Sequence, residues 1–202
     1  DFKVKNIFAN GEVWDELNNK THVYIKPEEY RYNGENNELS TGIKISYGSF
    51  DYYTGGDIGG IDQHGQDNPN SMETKTAPVI GAVDVATLNH HGNRGSMNTI
   101  FVKCLRPSVW IGQTWDASHP GGEVLRRITS RSLYPGERDV FANAMLESTK
   151  LVIGSMVDKS YKSQSGHLLV RVYPGGNNYS VFVLDDKTAK RNVKAKFNYS
   201  SK

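Results

Sequence analysis

The sequence is short of cysteine. Cys104 is the single cysteine among 202 residues, so the chain can form neither an internal disulfide bond nor a zinc site built from several thiolates. We expect this thiol to be buried on a helix. Any metal site in the chain must therefore draw most of its side-chain ligands from imidazoles and carboxylates.

Charge imbalance and long apolar runs are also missing. The formal net charge is only +2, which gives no reason to expect nucleic acid or an acidic partner. No apolar run approaches the roughly 20 residues of a membrane-spanning helix. No signal peptide is visible, but the first residue is Asp1 rather than Met, so the compartment stays open. The length fits one domain with a sizeable core.

Glycine and tyrosine, by contrast, are plentiful. The 20 glycines and 11 tyrosines indicate many turns and strands, and favour an α/β or β-rich domain. Alternating residues predict a hairpin from residues 42–47 and 50–53, and residues 22–25 predict a short strand followed by a helical turn at 28–32. Residues 62–76 are polar and without periodicity, which predicts a surface loop.

The middle of the chain predicts strands alternating with helices. The apolar residues 79–88 are expected to form a buried strand, and Ser96 is expected to cap a helix that ends near Leu105. Residues 108–112 predict the next strand and residues 122–130 the next helix. This βαβα order predicts helices packed against a sheet.

The C-terminal part predicts strands. Residues 151–156 are interpreted as a strand, and residues 167–173 and 179–184 as a hairpin. Residues 187–202 are rich in Lys and Arg, so we expect a peripheral strand or a frayed basic tail, separate from a main domain at 1–186.

Three glycine-rich segments each place metal-capable side chains after a strand-like stretch. The segments are T-G-G-D-I-G-G, D-V-A-T-L-N-H-H-G-N-R-G and A-S-H-P-G-G, at residues 54–60, 84–95 and 117–122. They contain Asp57, His90, His91 and His119. Oxygen and imidazole ligands without thiolates are typical of hydrolytic zinc, which lowers the pKa of a bound water to about 7. However, Asp57 plus one histidine falls short of the about three protein ligands that a catalytic zinc needs.

Each of these residues also has a structural interpretation. Asp57 could bridge metal ions or cap its own turn. In an extended strand His90 and His91 would point to opposite sides, so both could bind one metal only if the chain bends, as Gly92 permits. Otherwise one would bind and the other would orient a loop, a carboxylate or the substrate. His119 could bind substrate, act as a general acid, or cap the next helix.

Other side chains near these segments have two interpretations as well. Arg94 could clamp a phosphate or carboxylate, or be a solvated loop charge. Trp115 could wall a pocket, whereas Trp110 is expected in the core. The remaining histidines are expected to be structural or exposed: His22, His64 and His167.

Together the three motifs resemble the second half of the metallo-β-lactamase superfamily. The branch they are most similar to contains competence-protein hydrolase domains and phosphorylcholine esterases, with a TGD corner, a D-x-L-x-x-x-HHGS corner and a GHP corner in this order. The similarity covers about residues 43–130 well and the final strands loosely. It implies an α/β (α+β) fold, namely the C-terminal half of a four-layer αββα sandwich with mixed sheets, flanking helices and a final β-hairpin.

The resemblance also implies an activity. Asp57 would be the metal-bridging aspartate, the His90–His91 corner would supply the last histidine ligand, and His119 would lie at the rim near the substrate. The implied cofactor is zinc, as one or two ions, or another divalent metal. The implied reaction is hydrolysis of a phosphodiester or another phosphoester. The alternatives are lactone or β-lactam hydrolysis on the same fold, and a metal-free binding module that retains the scaffold.

The chain departs from the family in one large respect. The H-x-H-x-D-H run of the family's N-terminal half is absent from the sequence, so we expect that half to be missing and this chain alone to be inactive. The expected protein partner is the missing half or a second copy, and the expected substrate is a small molecule or a phosphoester. Basic residues are scattered outside the tail, which does not favour nucleic acid. A milder departure, Asn93-Arg94, leaves the substrate class open.

Overall fold

The computed structural model describes residues 1–26, 28 and 36–202, so the turn predicted over 28–32 lies outside the described residues apart from Glu28. The strands within this part are β1 (Phe2–Ala9), β2 (Glu12–Asp15), β3 (Lys20–Val23), β4 (Gly42–Tyr47), β5 (Phe50–Thr54), β6 (Val85–Thr87), β7 (Val109–Gly112), β8 (Asp139–Ala142), β9 (Tyr161–Ser163), β10 (His167–Val172), β11 (Asn178–Leu184) and β12 (Val193–Ser200). The α-helices are α1 (Met72–Ile80), α2 (Thr99–Leu105), α3 (Gly122–Thr129), α4 (Glu147–Ile153) and α5 (Met156–Ser160).

The strands form two sheets. A nine-stranded sheet has the order β3-β2-β1-β4-β5-β6-β7-β8-β9, and a three-stranded sheet has the order β10-β11-β12. Pairing is antiparallel from β3 to β5 and parallel from β5 to β9. The short sheet is antiparallel throughout. The parallel part matters for function, because it brings the carboxyl ends of consecutive strands to one edge.

Two hydrophobic cores lie on opposite faces of the nine-stranded sheet. On one face the helices pack against the sheet around Trp110, Phe101 and Leu125. On the other face the three-stranded sheet packs against strands β5 to β8 around Phe141 and Tyr179. The described residues therefore form three layers, helices, large sheet and small sheet, and the predicted mixed α/β class is confirmed.

Several predicted elements are confirmed. The hairpin of β4 and β5 turns at Gly48, whose positive φ of 58° suits glycine. The hairpin of β10 and β11 is also present. Helix α3 buries Val124, Leu125 and Ile128, the apolar face that the sequence predicts.

The segment from residue 62 to residue 88 differs from its prediction. Its second part is not a long strand, because helix α1 begins inside the supposed loop at Met72 and runs through Ile80. Ser71 caps the helix by accepting a hydrogen bond from the Thr74 amide. The buried strand that follows, β6, has only three residues, Val85–Thr87.

Two other boundaries are also corrected. Helix α2 is capped by Asn98 and not by Ser96, because the Asn98 side-chain oxygen Oδ1 accepts from the Phe101 amide. The apolar residues 151–156 are not a strand: they lie in helices α4 and α5, and Leu151 and Val152 are 84% and 81% exposed. Apolar residues on a solvent face misled the prediction, since a short apolar run does not distinguish strand from helix.

The basic C-terminal residues form an ordered strand. β12 pairs with β11, Phe197 packs against the second core, and the Tyr199 hydroxyl donates to Asp139 at 2.7 Å. Of the two interpretations of the tail, the peripheral strand is therefore the one observed. None of the helices in the described ranges is long and apolar enough to cross a membrane.

Candidate functional site

Three loops meet at the carboxyl edge of the parallel strands. Asp57 follows β5, His90 and His91 follow β6, and His119 follows β7, and these strands are neighbours in the sheet. Backbone hydrogen bonds join the loops: the His90 amide donates to Gly56 at 3.1 Å, and the Gly121 amide donates to Gly92 at 2.9 Å. The structure thus brings together the side chains that the sequence singles out, at the edge where α/β sheets bind ligands.

The chain bends sharply at the two histidines. His90 (φ 47°, ψ 41°) and His91 (φ 56°, ψ 12°) are both left-handed, and Gly92 follows with φ 80°. A left-handed conformation costs a residue with a side chain roughly 1–2 kcal/mol. Two in succession form a strained turn, and such strain clusters at functional sites. The bend that the sequence leaves open therefore exists, and it begins before Gly92.

His91 is the histidine that faces Asp57. Its Nδ1 lies 2.9 Å from the Gln113 carbonyl oxygen, which can only accept, so Nδ1 carries the proton. The other nitrogen, Nε2, lies 3.5 Å from the Asp57 Oδ1. In neutral His91 this nitrogen presents a lone pair, so two acceptor atoms face each other. A proton or a cation between them resolves the repulsion.

The separation of these two atoms fits shared coordination of zinc. Ligands at about 2.0–2.2 Å from a tetrahedral zinc lie about 3.4 Å from each other, close to the observed 3.5 Å. Carboxylate oxygen and imidazole nitrogen are ordinary zinc ligands. Among the described residues, however, no group of three or more His, Cys, Asp or Glu side chains is placed to hold a metal ion. The donor types fit the metal, and their number falls short.

His90 points elsewhere. Its Nε2 lies 3.5 Å from the Asn37 side-chain nitrogen, and its ring centre is 6.4 Å from that of His91. The amide of Asn37 can donate to this ring nitrogen. His90 is therefore held by a loop on the far side of the bend, as one alternative for the pair predicts.

His119 is the buried member of the cluster. Its side chain is 5% exposed, and its Nδ1 is buried without a hydrogen-bond partner among the described residues. Its ring centre lies 4.8 Å from that of His91. Burial, and then the proximity of His91, lower the pKa of His119. A lowered pKa keeps this ring predominantly neutral near pH 7.

Trp110 and Trp115 lie in different environments, as the sequence predicts. Trp115 is 64% exposed and contacts the His91 and His119 rings edge to face, at centroid distances of 6.0 Å and 5.5 Å. Trp110 is fully buried in the first core, and its indole nitrogen donates to the Tyr134 hydroxyl. Trp115 therefore walls one side of the cluster.

The remaining predicted residues lie outside the cluster. The Arg94 side chain is 73% exposed and its Nε lies 3.5 Å from Glu123, so it is at the rim and partnered. His22 pairs with Asp15 at 2.8 Å on the far strands of the large sheet. His64 contacts Gln63 on the surface. His167 is exposed at the start of β10.

A cavity of about 360 Å³ is connected to the cluster through Gln113, although none of the cluster's own side chains lines it. Gln113, whose carbonyl accepts from His91, belongs to its lining. The other lining residues are Tyr52, Ile111, Asn143, His167, Leu168 and Val170. Its volume is in the range of small-molecule sites. Sequence reasoning missed Gln113 and Asn143, although each directly follows a predicted or observed strand, which is the signal that could have found them.

Comparison with known proteins gives no assignment. No protein-family model matches the chain, and no curated protein is detectably similar to it.

Proposed function

We propose that the cluster of Asp57, His91 and His119 is part of the active site of a metal-dependent hydrolase, with zinc as the metal and a phosphoester as the substrate. The observation that carries the proposal is the pairing of His91 and Asp57. The Gln113 carbonyl fixes the His91 tautomer, and the free Nε2 faces a carboxylate oxygen at 3.5 Å. A second ring nitrogen fixed by a backbone carbonyl is the usual support of a metal-bound histidine.

The residues have separate roles in this proposal. Asp57 and His91 would hold the ion, which when bound supplies a water of lowered pKa and polarises the scissile bond. His119 is neutral and buried beside them, so it accepts or donates a proton at Nε2. Trp115 excludes water from one side of the rings. Arg94, at the rim, contacts an anionic substrate only after leaving Glu123.

The charge of the proposed ion and the cavity beside it indicate the class of substrate. A divalent ion held by Asp57 and His91 would supply the positive charge that favours an anionic ligand, and the resemblance to phosphorylcholine esterases favours a phosphodiester. The cavity beside Gln113 combines apolar side chains with the amides of Gln113 and Asn143. It would take the organic group of such an ester.

The shortage of donors has its own consequence. A catalytic zinc has about three protein ligands, and the described residues offer two in position. The remaining ligands would come from another stretch of polypeptide, in the same protein or in a partner. The chain alone is then expected to bind zinc weakly and to be inactive.

The test compares substrates and variants in the longest natural form of the protein. With zinc present, we expect hydrolysis of bis-p-nitrophenyl phosphate, lost in Asp57→Ala and His91→Ala and retained in His22→Ala, which removes a similar His–Asp pair elsewhere. Hydrolysis of nitrocefin or a lactone, without hydrolysis of the phosphodiester, would contradict the phosphoesterase assignment and favour a lactone or β-lactam hydrolase.

A metal-free binding module is the second candidate. The observation that favours it is the lack of a third metal donor within the described ranges. Under this alternative the Asp57→Ala variant keeps its biological activity, whereas the hydrolase proposal requires that activity to be lost.

A further inference from the structure

A carboxylate buried beneath the histidines belongs to no part of the proposed reaction. Glu73 lies in the first turn of α1 and is fully buried. One of its oxygens, Oε1, accepts from the Asn89 side chain at 2.9 Å and the Met97 amide at 2.6 Å; the other, Oε2, accepts from the Asn98 amide at 2.7 Å. A charged residue is almost never fully buried unless it is paired.

The bonds of Glu73 all lead to the segment that carries the histidines. Asn89 directly precedes His90, while Met97 and Asn98 lie just beyond the turn. Met97 is itself left-handed, with φ 60°. The carboxylate therefore clamps both ends of the strained loop.

Asn89 is fixed from further directions. Its side-chain oxygen accepts from the buried Tyr53 hydroxyl at 2.9 Å, and its carbonyl accepts from the Ser96 hydroxyl at 2.9 Å. The Arg127 Nε donates to the Met97 carbonyl at 2.8 Å. The residue that delivers His90 and His91 thus has little freedom to move.

Gly60 makes room for the carboxylate. A Cβ at this position would lie 1.9 Å from the Glu73 Oε2, so any side chain here would displace the carboxylate from its hydrogen bonds. The loop that follows Asp57 therefore packs directly on the same carboxylate as the histidine turn.

We propose that Glu73 is a positioning residue, which holds the His90–His91 turn in its left-handed conformation and thereby presents the His91 Nε2 to Asp57. It acts through Asn89, Met97 and Asn98 and touches none of the reacting groups. Releasing the clamp lets the two histidines relax toward ordinary backbone angles, because their conformation costs free energy. His91 then loses its bond to the Gln113 carbonyl. This positioning role concerns the same site as the proposed function, but it is tested by a separate measurement.

The test is the protonation pattern of the histidine rings, measured by long-range ¹H–¹⁵N correlation spectra of the 202-residue chain. In the parent protein we expect His91 as a single tautomer with the proton on Nδ1. In Glu73→Gln we expect this single-tautomer signal to be lost, giving the averaged shifts of a free imidazole. The matched control is Val181→Ala, which is buried in the second core, on the opposite face of the large sheet from Glu73. It lowers stability and leaves the His91 signal unchanged.

A milder variant covers the case in which Glu73→Gln does not fold. Tyr53→Phe removes only the hydroxyl that donates to Asn89, and we expect a smaller change of the His91 signal in the same direction. An unchanged His91 signal in the folded Glu73→Gln protein, or in Tyr53→Phe when that variant alone folds, would overturn the proposal. Neither result depends on zinc or on hydrolysis, so the positioning role and the proposed function can fail separately.

Discussion

At the scale of single residues, the candidate site depends on backbone angles more than on side-chain identity. The sequence shows which residues are metal-capable, and Asp57, His91 and His119 do meet. It does not show which histidine of the pair faces the aspartate, because this depends on two consecutive left-handed residues. A glycine in the sequence is a strong indication of a left-handed backbone, whereas Asn, Asp and His adopt it only occasionally. The choice of His91 therefore needed the structure.

Because His91 has a left-handed backbone, we expect replacement by glycine to be less destabilising than replacement by alanine, the reverse of the usual order. His91→Ala and His91→Gly both remove the ring, so their difference reports the backbone alone. We expect the glycine variant to be more stable by about 1 kcal/mol, since it avoids the left-handed penalty. Lys103 is the control, because it is exposed in helix α2. There we expect the alanine variant to be more stable than the glycine variant by about 1 kcal/mol. Urea unfolding measures both pairs, and equal signs at the two sites would contradict the strained turn.

Glu73 predicts a pH dependence of stability. Burial raises its pKa from 4.5 to about 7, against the opposing effect of its hydrogen bonds. Between pH 4.5 and about pH 7, the Glu73 carboxyl is therefore protonated in the folded protein and ionised in the unfolded chain. The contribution to stability is complete below pH 4.5 and is lost as the pH rises through about 7, by at most about 3 kcal/mol.

The measurement compares the parent with Glu73→Gln at about pH 5 and about pH 8 by urea unfolding. The decline in stability with rising pH should be smaller in the variant, because glutamine does not titrate. Lowered carboxyl pKa values elsewhere, such as that of the exposed Asp116, act equally on both proteins. The same pH slope in both would exclude titration of Glu73 in this range.

At the scale of elements, the strand ends could be predicted and the helices only in part. An apolar run that stops at glycine and polar residues marks the end of a buried strand, and β5, β6 and β7 each deliver a predicted residue to the site. Helix α1 could not be predicted in the same way. Its apolar periodicity is weak, and it buries the polar Glu73 and Thr76 beside Met72 and Ile80. Tertiary hydrogen bonds, which leave no pattern in the sequence, decide its position.

Helix α4 supplies a prediction at this scale. Val152 is 81% exposed there. We expect Val152→Ala to leave the stability unchanged or to raise it by about 0.5 kcal/mol, because alanine has a higher helix propensity than valine. In the strand predicted from sequence the same change would be destabilising. Val4→Ala on β1, which is 56% exposed, is the control and should lower stability. Thermal unfolding of both variants decides between the two assignments.

At the scale of the whole molecule, the topology of the large sheet decides which of the candidate residues lie close together. One parallel sheet edge collects Asp57, His90, His91 and His119, and the small sheet packs on the opposite face from the helices. The class of fold follows from alternating strands and helices, which the sequence displays. The basic C-terminal strand β12 pairs with β11 and packs Phe197 and Tyr199 on the second core. Residues 193–200 alternate apolar and polar side chains as a half-buried strand does, whereas the high content of Lys and Arg in residues 187–202 alone would also fit a frayed tail.

In the proposed function, Asp57 and His91 are two ligands of a zinc site that needs further donors. Isothermal titration of the 202-residue chain with zinc tests it most directly. We expect weak binding of one ion, with a dissociation constant in the micromolar range or above, well short of the affinity of a closed zinc site.

Asp57→Ala and His91→Ala should each abolish this binding, and His22→Ala, which breaks the 2.8 Å pair with Asp15, should leave it intact. Binding that survives loss of Asp57 would contradict the assignment of the site, and tight stoichiometric binding by the chain alone would contradict the ligand count.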